Sequence, residues 1–172
     1  FHRAAPVLDR DGRLYVAGSY DLVGGDATVH CLNAKTGRTI WKTPIDGAVK
    51  SVVALDDDRL FANAQTGTLW CLDKHGGRVL WSRRLAQQPN RWINARPIAS
   101  NGVVLTGHSR GGLEAFDTKR GRRIWHINAD QPPFSHSNRD TWPNYAAPVV
   151  HGGRALICFR GRRIDCVDIT TG

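Results

Sequence analysis

Gly107-His108-Ser109-Arg110-Gly111 has the spacing of a nucleophile elbow, a turn that lifts a serine hydroxyl above the end of an apolar strand. The run Val103-Val104-Leu105 before it supplies the strand. Asp130, followed by His136 or His151, would supply the orienting acid and the base in the required order. An elbow also requires a helix immediately after the turn. Residues 113–125 have no helical periodicity and instead repeat a segment found twice earlier. The same slot in the other copies holds Gly18-Ser19-Tyr20 and Ala64-Gln65-Thr66-Gly67, ordinary turn residues. A serine hydrolase is therefore disfavoured, and no catalytic residue is assigned.

Other chemistry is sparse. The four cysteines form no Cys-x-x-Cys pair and the seven histidines are scattered, so no metal ligand set is predicted. Cys31, Cys71 and Cys166 occupy equivalent positions of different repeats, too far apart to bridge, and are expected to be buried free thiols. Cys158 and Cys166 could face each other across one hairpin, although packing as small residues is the favoured role. The richest polar and aromatic stretches are two long connections. One holds Arg91, Trp92, Asn94 and Arg96, the other Arg139, Asp140, Trp142, Asn144 and Tyr145. Arginine beside an aromatic ring suits recognition of a protein or a ligand; Trp92 and Trp142 suit covering the ends of strands equally well.

The element that must position these loops is a segment that recurs. Cys31 to Trp41 reads Cys-Leu-Asn-Ala-Lys-Thr-Gly-Arg-Thr-Ile-Trp; Cys71 to Trp81 and Ala115 to Trp125 repeat it, and Cys166 to Gly172 begins a fourth copy. In each, an apolar strand ends at Asn33, Asp73, Asp117 or Asp168, whose short side chain can bond the backbone of its own turn. Gly37, Gly77 or Gly121 then supplies a positive φ, and a second strand runs to the tryptophan. A lone two-stranded ribbon is marginal in water, so each copy needs neighbours, and a large ring at one fixed place is a suitable wedge between them. Trp41 to Trp81 is 40 residues and Trp81 to Trp125 is 44, the period of a propeller blade of four strands.

These residues resemble the pyrrolo-quinoline quinone (PQQ) type β-propeller repeat, whose tryptophan-docking motif has the form Ala-x-Asp-x-x-x-Gly-x-x-x-Trp. The likeness covers nearly the whole chain; Cys31, Cys71 and Cys166 replace the usual Ala, one small apolar residue for another. It implies an all-β fold, a partial propeller of four-stranded antiparallel blades over 4–46, 47–90, 91–130 and 146–172, the last incomplete. Trp41, Trp81 and Trp125 are the expected docking rings, with Gly37, Gly77 and Gly121 in their turns. The inner strands are expected at 5–8, 51–54, 97–99 and 148–150, each opening a unit. Three and a half blades cannot close a ring, so the 172 residues are expected to be one propeller segment of a longer chain, or a chain that closes a ring with a second copy.

The same repeat occurs in quinone enzymes, in outer-membrane assembly lipoproteins and in secreted proteins, so the fold does not decide function. The resemblance implies a periplasmic or extracellular protein. A PQQ dehydrogenase would need Arg, Asn and hydroxyl groups on the quinone carboxylates, calcium held by carboxylate and amide oxygens, an Asp base and an aromatic floor. Asn94, Arg96, Asp140, Trp142, Asn144 and Tyr145 are of those types, but they do not match the enzyme motif residue by residue, and no adjacent-cysteine pair is present. The preferred reading is a non-catalytic scaffold, without PQQ or calcium, binding a protein partner or a ligand through its loops or packing against further blades. The formal charge of +9 comes from cations spread through turns, with dense clusters only at 119–123 and 160–163, which argues against nucleic acid as partner. No run is long and apolar enough for a transmembrane helix.

Overall fold

The computed structural model describes residues 5–19, 27–85, 96–107, 112–127, 147–159 and 163–172. Every regular element among them is a strand. The strands are β1 (Val7–Leu8), β2 (Arg13–Ser19), β3 (Ala27–Asn33), β4 (Thr39–Ile45), β5 (Ala54–Asp56), β6 (Arg59–Ala64), β7 (Thr68–Asp73) and β8 (Val79–Arg84). They continue with β9 (Ile98–Ser100), β10 (Val103–Gly107), β11 (Leu113–Asp117), β12 (Arg123–Ile127), β13 (Val149–His151), β14 (Arg154–Phe159) and β15 (Arg163–Asp168). Consecutive strands pair antiparallel into sheets β1-β2-β3-β4, β5-β6-β7-β8 and β9-β10-β11-β12, then a three-stranded sheet β13-β14-β15. The all-β reading holds; Ser109, between β10 and β11 in sequence, lies outside the described residues.

Register follows from alternation. Along β3, Ala27, Val29 and Cys31 are buried toward the second sheet while Thr28, His30 and Leu32 on the other face are partly exposed. The second and third sheets have two apolar faces, one toward the preceding sheet and one toward the next. The three resulting cores centre on Tyr15, Val29 and Leu60, on Phe61, Leu69 and Phe116, and on Leu105, Leu113 and Ile157. Burying each such side chain contributes about 1.5–3 kcal/mol. Outer strands lie at sheet edges, so β4 tolerates Pro44, which has no N–H to give.

Two local features shape every unit. The tryptophan pairs with the small residue of the preceding strand, Cys31 with Trp41, Cys71 with Trp81 and Ala115 with Trp125. The residue before it, Ile40, Leu80 or Ile124, is left as a bulge. The Asx carboxyl or amide caps its own turn: Asn33 Oδ1 accepts the N–H of Lys35 and Thr36 at 3.0 Å, and Asp73 Oδ1 those of His75 and Gly76 at 2.7 and 3.0 Å.

Some expectations are corrected. In the second unit the inner ladder is Ala54–Asp56 rather than 51–54, because the Asp56-Asp57-Asp58 turn, with Asp57 at φ 46°, draws the pairing toward itself; Val49 makes only an isolated bridge to Ala64. The inner strands β1, β9 and β13 begin after Pro6, Pro97 and Pro148, none of which can donate to the ladder. Cys31 and Cys71 are buried free thiols, whereas Cys166 is exposed, because no described sheet covers its face. Cys166 stands opposite Leu156, and Cys158 opposite Ile164, so the two cysteines are offset along the hairpin.

Candidate functional site

The contacts that the repeat builds most fully lie between sheets. Trp41 Nε1–H donates to the Lys74 carbonyl at 3.1 Å, Trp81 Nε1–H to Thr118 at 3.1 Å and Trp125 Nε1–H to Ile169 at 3.0 Å. Each acceptor is the residue following the Asx of the next sheet's turn. The same turn offers glycine as a floor. A Cβ on Gly77 would lie 2.5 Å from Trp41, and one on Gly121 2.6 Å from Trp81, so no side chain fits under either ring. Both glycines also need a positive φ, 74° and 66°.

Further groups complete two of these seats. Tyr15 lies beside Trp41 with ring centroids 6.1 Å apart, and Phe61 beside Trp81 at 5.8 Å. The Tyr15 hydroxyl donates to Asp9 Oδ2 at 3.0 Å and reaches the Lys74 carbonyl at 3.4 Å, and burial together with that carboxylate raises its pKa. Two residues beyond the ring, Thr43 Oγ1 donates to the Gly77 carbonyl at 2.6 Å. Arg83 takes the equivalent place: Nε–H donates to the Gly121 carbonyl at 2.8 Å, Nη2 to Arg120 at 2.7 Å, and its guanidinium carbon lies 5.8 Å from the Trp81 ring centroid. Asn63 Nδ2 donates to Thr106 Oγ1 at 2.7 Å across the buried seam of the second and third sheets. Sequence reading missed Thr43, Arg83 and Asn63. The shared offset from tryptophan could have found the first two; Asn63 has no repeat-level signal.

Of the loop residues expected to bind a partner, Arg96 is exposed just before β9. Arg91, Trp92, Asn94, Arg139, Asp140, Trp142, Asn144 and Tyr145 lie outside the described residues, as do Asp130 and His136; His151 is an exposed residue of β13. Among the described residues, no three His, Cys, Asp or Glu side chains come together where they could hold a metal ion. Burial pushes the Cys71 thiol up to about 12 and raises Cys31 as well, which leaves both unreactive. No described helix is long and apolar enough to cross a membrane.

Among the described residues, both ends of the stack are uncovered. Val149, Leu156 and Ile164, on the face where the earlier sheets carry buried Phe61 and Leu69 or Leu105 and Leu113, are 62, 50 and 72% exposed. At the other end Gly37 has the φ of the other turn glycines, 68°, and its Cβ position meets no described atom within 4 Å.

Known proteins share this construction. BamB from Moraxella catarrhalis superposes with a TM-score of 0.78 over 99% of this chain and 50% of that one, at 21% identity, which concerns the fold alone. In sequence, the outer membrane protein assembly factor BamB of Yersinia pestis is 24% identical over 155 residues, 84% of this chain and 37% of that protein. Quinoprotein alcohol dehydrogenase PedH of Pseudomonas putida is 27% identical over 139 residues, 72% of this chain and 22% of that protein. The chain thus spans well under half the length of these curated relatives. With residues 2–172 matched by the family model described as outer membrane protein assembly factor BamB, the chain belongs to that family of propeller proteins.

Proposed function

We propose that this chain is a stretch of a non-catalytic propeller scaffold, exported to the periplasm or beyond, whose faces and loops bind protein. The observation that carries the reading is the uncovered apolar face of β13–β15, where Val149, Leu156 and Ile164 stand exposed at positions that earlier sheets bury. Its occupant is a further blade of the same chain or another protein, and two copies joined head to tail would serve the same need. In this reading Trp41, Trp81 and Trp125 are the docking rings, and Gly37, Gly77 and Gly121 their seats. Arg91, Trp92, Asn94, Arg96, Arg139, Asp140, Trp142, Asn144 and Tyr145 belong to the loops that meet a partner or ligand. Kinship with an assembly factor supports protein binding. Kinship with an alcohol dehydrogenase keeps a PQQ- and calcium-dependent activity as the competing reading.

Ile164→Asp on the longest native chain containing these residues is the test. The expected result is loss of a defined assembly or of a folded ring, seen by light scattering and by tryptophan fluorescence. An unchanged particle would overturn the covered-face reading. Reconstitution with PQQ and calcium should give neither quinone absorbance nor alcohol-dependent dye reduction; either signal, abolished by Asp140→Ala, would overturn the non-catalytic one.

A further inference from the structure

The turn between β11 and β12 borders a half-open surface pocket of about 330 Å³ lined by Asp117, Lys119, Arg120 and Arg122. The one carboxylate in that lining is engaged by its own turn: Asp117 accepts the backbone N–H of Arg120 at 2.6 Å and of Arg122 at 2.7 Å. Lys119, Arg120 and Arg122 are exposed, and none is ion-paired among the described residues. Arg83 holds the Gly121 and Arg120 carbonyls from beneath, which fixes the turn and adds a fourth cation at its base.

The corresponding turns of the first two sheets have acids beside them. Each packs on a neighbouring turn through a backbone bond, Ala34 N–H to Gly12 and Lys74 N–H to Asp58, at 2.9 and 2.8 Å. Those neighbours carry Asp9 and Asp11, with Arg10 between them, in the first sheet and Asp56, Asp57 and Asp58 in the second, where Asp58 lies 2.9 Å from His75. In the third sheet the neighbour is Asn101-Gly102, bonded from Thr118 N–H at 2.9 Å, and it is neutral. The third turn therefore has the largest positive excess of the three and no acid on its neighbour.

We propose that the β11–β12 turn is a docking point for an acidic segment of a protein partner, whose carboxylates meet Lys119, Arg120 and Arg122. The proposal rests on the protein-binding reading above and names the partner's chemistry. Guanidinium forks suit carboxylates, and a turn held by Arg83 loses little freedom on binding. A nucleic acid backbone or a flat anionic membrane would have to extend over the adjoining turns of the second sheet, where Asp56, Asp57 and Asp58 repel it.

The test is fluorescence anisotropy of a labelled oligoglutamate peptide against the full chain at low and physiological salt. Binding that weakens with salt and falls roughly tenfold in Arg120→Glu/Arg122→Glu, but less than about twofold in Lys35→Glu/Arg38→Glu on the first turn, whose neighbour carries Asp9 and Asp11, is expected. Should the double reversal fail to fold, Lys119→Glu and Arg122→Gln at exposed positions give the same reading. Equal losses in both pairs would reduce the effect to net charge and overturn the proposal. So would an absence of peptide binding, or binding to phosphatidylglycerol vesicles, DNA or inorganic phosphate in preference to the peptide. Failure here leaves the scaffold reading standing, since that is decided by Ile164→Asp on a different face.

Discussion

The seam between the second and third sheets and the seam between the third and fourth use one device with unequal completeness. At the first, Trp81 is 8% exposed, Phe61 lies tilted beside it, Arg83 binds the carbonyls of its seat, and Gly121 leaves only 2.6 Å for a side chain. At the second, Trp125 is half-buried, Leu105 replaces the aromatic neighbour, Ile127 stands where Arg83 and Thr43 donate, and Gly172 leaves 3.3 Å. The indole hydrogen bond is the same in both, 3.1 and 3.0 Å. The bond therefore sets the position of the ring, and the neighbours set how closely the sheets approach.

Four measurements would break or sharpen that contrast. The largest effect is expected from the rings themselves. Trp81→Ala should cost about 3–5 kcal/mol in urea unfolding, and Trp125→Ala clearly less, about 2–3 kcal/mol, because its ring is only half covered. Equal losses would mean that the indole bond, not the surrounding packing, carries the seam. Next come the glycines: Gly121→Ala combines a positive φ with a clash and should cost about 2–4 kcal/mol. Gly37→Ala, with the same φ and no described neighbour, should cost about 1 kcal/mol.

Arg83→Ala should then cost about 1–2 kcal/mol by freeing two seat carbonyls, while Ile127→Arg at the other seam should recover part of that amount if the offset position is a clamp. The smallest effect concerns acid. Bonds from the N–H groups of Gly76 and His75 hold the Asp73 carboxyl below the usual carboxylate range. A depressed folded pKa gives stability that is present above the unfolded value, about 3.9, and is lost as pH falls through the folded one. The urea midpoint should therefore decline below about pH 4. Asp73→Asn, which keeps the acceptor as Asn33 does, should lessen that decline.

Much of the fold is legible because its signals are local and repeated. An Asx cap, a glycine at positive φ and a tryptophan opposite a small residue lie within eleven positions, and each copy checks the others. The short inner strands were harder to place. Their bounds depend on which turn wins, and Asp57 at φ 46° is a turn residue that its neighbours Asp56 and Asp58 conceal in sequence. Asn63 and Thr106 were illegible for another reason, since they meet across 43 residues at positions the repeat leaves free. The exposure of Cys166 follows from which sheet stands beside it, and no property of the hairpin announces that.

The seats give the stack a direction. Every indole is handed forward and every glycine turn receives from behind, so the two ends of the described stack are of opposite kind. A unit added before the first sheet must bring a ring for Gly37, whereas the last described sheet has its own seat filled by Trp125 and offers the next unit the apolar face of Val149, Leu156 and Ile164. Turned end for end, the same unit would set ring against ring or hollow against hollow. Extension of this architecture, natural or engineered, is a vectorial process that accepts a module in one sense only.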